Sequence, residues 1–254
     1  MSRFREDYIE DDSVLSIFTL LDGAVKSIPP SFYNQVEFLI KFDNDDKVAK
    51  ARVNELSKYP FQIKSFFYNR WEGLATANYH LSFLFLYRDI TSNFIGMVGD
   101  DAVFLEEATT CLFDTLQAQV NNKYAIISST EHELNTDYQT NQNNWILSVD
   151  DYPIVSSKII EISSGYGFQA NVNNWVSLLQ NILYYKYNVN LNHRIIKYAA
   201  RDNRQVKHFA NDKEYFNKEF FISNERYCTN PYYFTLVEQQ ARNIYLNMKE
   251  EGLL

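Results

Sequence analysis

An α/β fold, with a mostly parallel sheet flanked by helices, is the architecture this chain predicts. Three observations carry that expectation. Short β-branched and aromatic runs alternate with segments whose apolar residues recur at helical spacing, the rhythm of strand–helix units. Two of the three strands predicted in the first half end in carboxylate clusters, Asp43-Asn44-Asp45-Asp46 and Asp100-Asp101. In a parallel sheet those ends share one edge, the edge where open α/β folds bind ligands. Finally, 46% hydrophobic residues over 254 positions suffice to bury the core of one large domain.

Taken in order, Asp11-Asp12-Ser13 is a helix-start signal; Val14, Ile17, Phe18, Leu21 and Val25 then repeat at helical spacing until Pro29-Pro30. Val36–Phe42 reads as a strand. Ala49, Val53 and Leu56 mark a helix closed by Pro60, and Phe61–Tyr68 is a second strand. Gly73 opens a helix through Leu74, Ala77, Leu81, Leu84 and Phe85. The strand Phe94–Val98 follows, then a helix through Leu105, Ala108, Leu112 and Leu116. The second half is less regular. Tyr124–Ser129 suits a strand, Glu131–Asn144 is a polar surface loop or a lid over substrate, and two apolar stripes predict helices. One stripe is Trp175, Leu178, Leu179 and Ile182; the other is Val237, Ala241, Ile244, Tyr245 and Met248. With no internal repeat or linker, the expectation is a single domain over residues 1–254.

Composition excludes several classes. A net charge of −8 argues against a general nucleic-acid binder, which carries a basic footprint. Cys111 and Cys228 are too far apart for a zinc-type spacing. The charged opening MSRFREDYIEDD is no secretory signal, and no apolar run reaches the ~18–20 residues of a membrane helix, so a cytoplasmic setting is expected. The 19 Tyr and 19 Phe suit either aromatic platforms for sugar rings or a plain coding bias.

Asn93–Phe104 is the most informative stretch. An apolar run gives way at Gly99 to two adjacent carboxylates, which stay charged together most readily around a hard cation such as Mg²⁺ or Mn²⁺. The plain alternative is an acidic cap on the following helix. Asp43–Asp46 lacks the residues of a phosphatase motif or an EF-hand, leaving a nucleoside contact or, equally, an acidic helix start. A third cluster is cationic. Arg194, Lys197, Arg201, Arg204 and His208 would share an arc of about 80° on a helix, suiting a diphosphate or simply a solvated face. His80 reads as a packed residue; His208 could reach a metal.

In order, these motifs resemble the GT-A-fold glycosyltransferases, a Rossmann-like class, and especially the large inverting family 2 type. Ser2-Arg3-Phe4-Arg5 is similar to the turn ending that family's first strand. The run FLIKFDNDD matches its acid-ended second strand, and Asn69-Arg70-Trp71-Glu72-Gly73-Leu74-Ala75-Thr76-Ala77-Asn78 its following loop and helix. Gly99-Asp100-Asp101 stands where the family has its metal-binding Asp-x-Asp. The resemblance covers roughly residues 2–120. It implies a nucleotide-sugar-binding half up to about residue 120 and an acceptor half beyond it. It further implies Asp101 as metal ligand with Asp100 at the ribose or a metal water, and Asp43 and Asp45 at the nucleoside. Ser2, Arg3, Arg70 and Gly73 would line the nucleotide-sugar site. The implied activity is metal-dependent transfer from a nucleotide-diphospho-sugar to a glycan or glycoconjugate acceptor, with Mn²⁺ or Mg²⁺ as cofactor.

Two departures stand out. The chain starts where the family's first strand should end, so that strand is absent, lies upstream or is replaced in another way. Asn173-Asn174 before Trp175 puts amides where inverting members hold the acid that takes the acceptor proton, leaving Asp150 and Asp151 as substitutes. A non-catalytic nucleotide- or sugar-binding relative is therefore the alternative reading. A nucleotidyltransferase is a third, though no Gly-rich basic phosphate loop opens the chain.

Overall fold

The computed structural model describes residues 17–69, 89–96, 98, 102–129, 152–163, 172–195, 197–201 and 231–254. Helix α1 (Ile17–Ser27) turns Ile17, Phe18, Leu20, Leu21 and Ala24 inward and stops before Pro29, where a 3₁₀ turn (Pro30–Gln35) begins. Strand β1 (Glu37–Asp43) leads to a short helix α2 (Lys47–Arg52), which tightens into a second 3₁₀ turn (Val53–Lys58). Strand β2 (Gln62–Tyr68) then lies parallel to β1, in register from Glu37 opposite Gln62 to Asp43 opposite Tyr68.

Next come strands β3 (Phe94–Gly96) and β4 (Ala102–Phe104), then helix α3 (Glu106–Ala118). The remainder adds β5 (Ile126–Ser129), β6 (Ile154–Ser156), α4 (Ser157–Ile162), α5 (Val172–Tyr187), β7 (Asn192–Ile195), β8 (Ala199–Arg201) and α6 (Pro231–Glu250). Strands β3, β6, β5 and β7 line up in that order. Strand β6 is antiparallel to both β3 and β5, and β5 is parallel to β7. Hence β3, β5 and β7 all point one way and β6 alone is reversed, a mixed sheet dominated by one strand direction.

Both faces of this sheet are buried, and the period of two along a strand decides which residue goes where. Ile126 and its register partner Val155 join a core with α4, α5 and α6, through Trp175, Leu178, Ile182, Val237 and Ile244. The next rung, Ile127 opposite Ile154, enters a second core with α1, α3, β1 and β2, through Leu21, Phe42 and Leu112. Helices on both faces of a sheet define an α/β protein, as expected. Helix α5 is buried on most of its length, with Trp175, Leu178, Leu179, Ile182 and Leu183 wholly excluded from solvent and the polar Ser177, Gln180 and Asn181 buried beside them, so it is an interior helix.

Many aromatic residues serve packing. Phe42 stacks on Phe67, Tyr33 and Phe38 meet the edge of Phe61, and Phe32 lies 4.9 Å from Phe113. Trp175 donates its indole N–H to Gln240 Oε1 at 2.7 Å, while Gln240 Nε2 donates to the Ser163 carbonyl at 2.9 Å. No helix among the described residues is long and apolar enough to cross a membrane.

Candidate nucleotide and metal site

Within β1, alternation puts Glu37, Leu39, Lys41 and Asp43 on one face, opposite to the core face of Ile40 and Phe42. Lys41 and Asp43 are nonetheless buried, at 3% and 0% exposure, and form an ion pair through Nζ and Oδ1. Asp43 Oδ2 is also buried and has no hydrogen-bond partner. A carboxylate oxygen left in that condition carries a full desolvation cost, and a ligand N–H or O–H is one way to relieve it. Across the register, Lys41 faces Phe66 and Asp43 faces Tyr68. Those two half-buried rings lie nearly parallel, 6° apart in plane with centroids 6.1 Å apart.

The other acids of the cluster separate by role. Asp46 is the N-cap of α2: its carboxylate accepts from the Ala49 N–H at 2.8 Å and its side chain is buried. Asp45 is exposed in the turn between β1 and α2. The turn is tied by the Asn44 N–H to the Tyr68 carbonyl at 2.9 Å and by Asn44 Nδ2 to Asn69 Oδ1 at 3.0 Å. Thus Asp43 and Asn44 meet Tyr68 and Asn69 at the carboxyl ends of a parallel pair, and the chain runs directly on to Arg70. Arg70 and Gly73 themselves lie outside the described residues, as do Ser2 and Arg3.

Asp100 and Asp101 also lie outside the described residues, but both flanks are described. The chain leaves β3 at Gly96 and resumes in β4 at Ala102. This disposes of the helix-cap alternative. A strand intervenes between the acids and α3, and the N-cap of α3 is Leu105, with no side-chain cap.

Both described flanks are paired with strands that stand next in sequence to other predicted residues. Gly96, four positions before Asp100, is paired with Ile154 at the start of β6, which Asp150 and Asp151 precede closely. Ala102, next to Asp101, is paired with Arg201 at the end of β8, where the chain continues toward Arg204 and His208. Asp150, Asp151, Arg204 and His208 are outside the described residues. Each flank of the Asp100-Asp101 stretch is thus paired with a strand that adjoins another predicted cluster in sequence.

The expected cationic arc requires correction. Arg194 and Arg201 belong to two different strands, paired with Ser128 of β5 and Ala102 of β4. A helical period cannot hold where Ile195, Tyr198 and Ala199 must enter the core between two sheet pairings. His193, half-buried in β7, has its pKa pushed below the usual histidine value by burial.

Two residues with a place here were missed from the sequence. Lys41 is one; its only signal was the two-residue spacing from Asp43 within a strand. Tyr198 is the other. Its hydroxyl donates to the Tyr152 carbonyl at 2.8 Å and its own carbonyl accepts from the Leu105 N–H at 2.7 Å.

No family model matches this chain, and no curated protein does either. Among solved structures, the chain is similar to a mannosyltransferase from Pyrobaculum calidifontis, in complex with GDP-Man and Mn²⁺. The superposition covers 94% of this chain and 72% of that chain at 11% identity, with a TM-score of 0.48. A likeness this loose leaves function to be argued from residues. Among the described residues no group of three or more His, Cys, Asp or Glu could hold a metal ion, and the expected ligands Asp100, Asp101 and His208 lie beyond them. Asn173 and Asn174 fall in the first turn of α5, and Trp175 after them is a core residue rather than a sugar platform.

Proposed function

We propose that the protein is a metal-dependent glycosyltransferase of GT-A type, moving a sugar from a nucleotide-diphospho-sugar to a glycan or glycoconjugate. The observation that carries this reading is the paired register Gly96–Ile154 and Ala102–Arg201 around Asp100 and Asp101. The two pairings flank the Asp100-Asp101 stretch with Ile154, soon after Asp150-Asp151 in sequence, and with Arg201, soon before Arg204 and His208, which supports the reading.

In this reading Asp101, with Asp100 beside it, holds Mn²⁺ or Mg²⁺ through hard carboxylate oxygens, and His208 is a further candidate ligand. The bound ion would neutralise charge building on the departing nucleoside diphosphate. Asp43 and Asp45 contact the nucleoside, the Phe66–Tyr68 face flanks it, and Ser2, Arg3, Arg70 and Gly73 line the same pocket. Asp150 or Asp151 takes the proton of the acceptor hydroxyl as its oxygen attacks the anomeric carbon and the bond to the diphosphate breaks. Asn173 and Asn174 cannot do this, since an amide takes no proton at neutral pH. That substitution favours one second reading, a relative that binds the nucleotide-sugar without transferring it.

Thermal stabilisation by UDP-, GDP- and dTDP-sugars, with and without Mn²⁺, tests the proposal alongside Asp101→Ala. Metal-dependent stabilisation in the intact protein, lost in the variant, is the expected result. Its absence from the intact protein refutes the proposal. Slow donor hydrolysis over hours separates a transferase from a binding relative.

A further inference from the structure

We infer that the cleft between the second 3₁₀ turn and β2 is a docking site for another protein. It takes an extended acidic segment that pairs along the open edge of β2 and places an aliphatic side chain in the cleft. The inference uses residues apart from the proposed nucleotide site and is independent of the glycosyltransferase reading. The cleft has a volume of about 380 Å³, and its walls include Leu56 and Ser57 of the turn, Tyr59 after it, and Phe61, Ile63 and Ser65 along β2. Leu56, Tyr59 and Phe61 are buried and make it apolar inside, whereas Ser57 is exposed at its rim. Phe61, Ile63 and Ser65 alternate along the chain and so share one face of the strand. Strand β1 contributes no lining residue, which puts the cleft toward the other edge of β2.

That edge is available for pairing. β2 is paired with β1 over its whole length, and among the described residues it has no second strand partner. An open edge presents N–H and C=O groups to an incoming strand. A lysine often guards such an edge, yet Lys64 reaches back to Glu37 of β1 in an ion pair of 2.6 Å. A small molecule would fill the cleft and leave the edge unused; an extended peptide uses both. Charge then selects the kind of peptide. Residues 47–58 carry Lys47, Lys50, Arg52 and Lys58 against Glu55, a net of +3 in a chain whose net charge is −8. Lys47, Lys50 and Lys58 are exposed, and Lys58 Nζ lies 5.1 Å from the centroid of the Tyr59 ring, one wall of the cleft. Carboxylates on either side of an aliphatic anchor complement this patch. Ser65 precedes Tyr68 by three residues, about 10 Å of strand, so a docked segment leaves the carboxyl ends of β1 and β2 open.

The test uses the intact protein and a fluorescein-labelled heptapeptide with Leu-Ile at its centre and Asp or Glu elsewhere, followed by fluorescence anisotropy. Binding is expected at about 10–100 μM and should weaken as salt is raised. Replacing Leu-Ile by Ala-Ala, or the acids by their amides, should each weaken it about tenfold. Ser57→Trp, a change at an exposed position, fills the cleft and should also weaken binding about tenfold while leaving the melting temperature unchanged. In the unaltered protein, bound peptide should slow amide exchange over residues 61–65. No binding up to about 1 mM peptide overturns the inference. So does binding that ignores Ser57→Trp and leaves exchange at 61–65 unslowed. Equal binding by the Ala-Ala peptide reduces the effect to charge alone and overturns it too. Self-association of the unaltered protein that Ser57→Trp abolishes assigns the cleft to a second copy of this chain, against the inference.

Discussion

Lys41 and Asp43 form an ion pair inside the protein, on one face of β1, with Asp43 wholly excluded from solvent and Lys41 nearly so. Taking one partner away strands the other charge in a dry environment. Lys41→Met is expected to cost about 3–5 kcal/mol in denaturant unfolding, whereas Lys41→Met with Asp43→Leu should recover most of it. If Asp43 contacts the nucleoside, the stable double variant will still have lost nucleotide-dependent stabilisation. That outcome separates a structural from a binding role.

Asp46 and Asp45 are neighbours with opposite expectations. Asp46→Ala removes the cap of α2 and should cost about 1 kcal/mol without changing nucleotide binding. Asp45→Ala, at an exposed turn, should leave stability within about 0.5 kcal/mol and weaken nucleotide binding. Thermal melts with and without ligand check both.

How much of this was legible beforehand differs sharply between elements. The strand expected at Val36–Phe42 is found at Glu37–Asp43, and that at Phe61–Tyr68 is found at Gln62–Tyr68, because long alternating runs announce themselves. Strand β4 was not foreseen, and the reading passed from Asp101 directly to the helix at Leu105. Three residues give no period to detect, and β4 is a strand only because β8, nearly a hundred positions away, pairs with it. The same holds for β6, β7 and β8. Helical spacing for Arg194–His208 failed for this reason: distant pairing partners outweighed local pattern. At the site, Asp43 was legible from its place at a strand end, but its tie to Lys41 was not, since a lysine within a strand ordinarily faces water. The pairing of Gly96 with Ile154, between the described flanks of the Asp101 and Asp150 segments, is a non-local fact.

Acid should weaken the fold through His193. Burial holds its folded-state pKa below the ordinary value of 6.5, so above pH 6.5 both folded and unfolded chains carry it neutral and its contribution is complete. As the pH falls below that value the unfolded chain takes up a proton first, and stability declines until the folded imidazole also titrates. Urea midpoints at pH 7.5 and pH 5.5 should differ less in His193→Gln than in the unaltered protein.

The Trp175–Gln240–Ser163 chain of hydrogen bonds joins α5, α6 and the end of α4 in the interior. Gln240→Leu removes both hydrogen bonds, from the buried indole N–H and to the Ser163 carbonyl, and should cost about 2–4 kcal/mol. Trp175→Phe removes the first of these bonds too, so the double variant should lose less than the sum of the singles. A double-mutant cycle in guanidinium provides the check.

The reversed strand β6 has a consequence for how the protein is made. Among the described residues β3 pairs with β6 alone, and β6 also joins β3 to β5 and β7. A ribosome that has delivered the helix-and-strand units of the first half has delivered β3 without its neighbour. Strand β3 gains that neighbour when residues 154–156 slot in between strands synthesised earlier, a late and slow kind of closure. Until then the nascent chain exposes the unpaired edge of β3, which makes this step the point at which chaperone binding would be felt most.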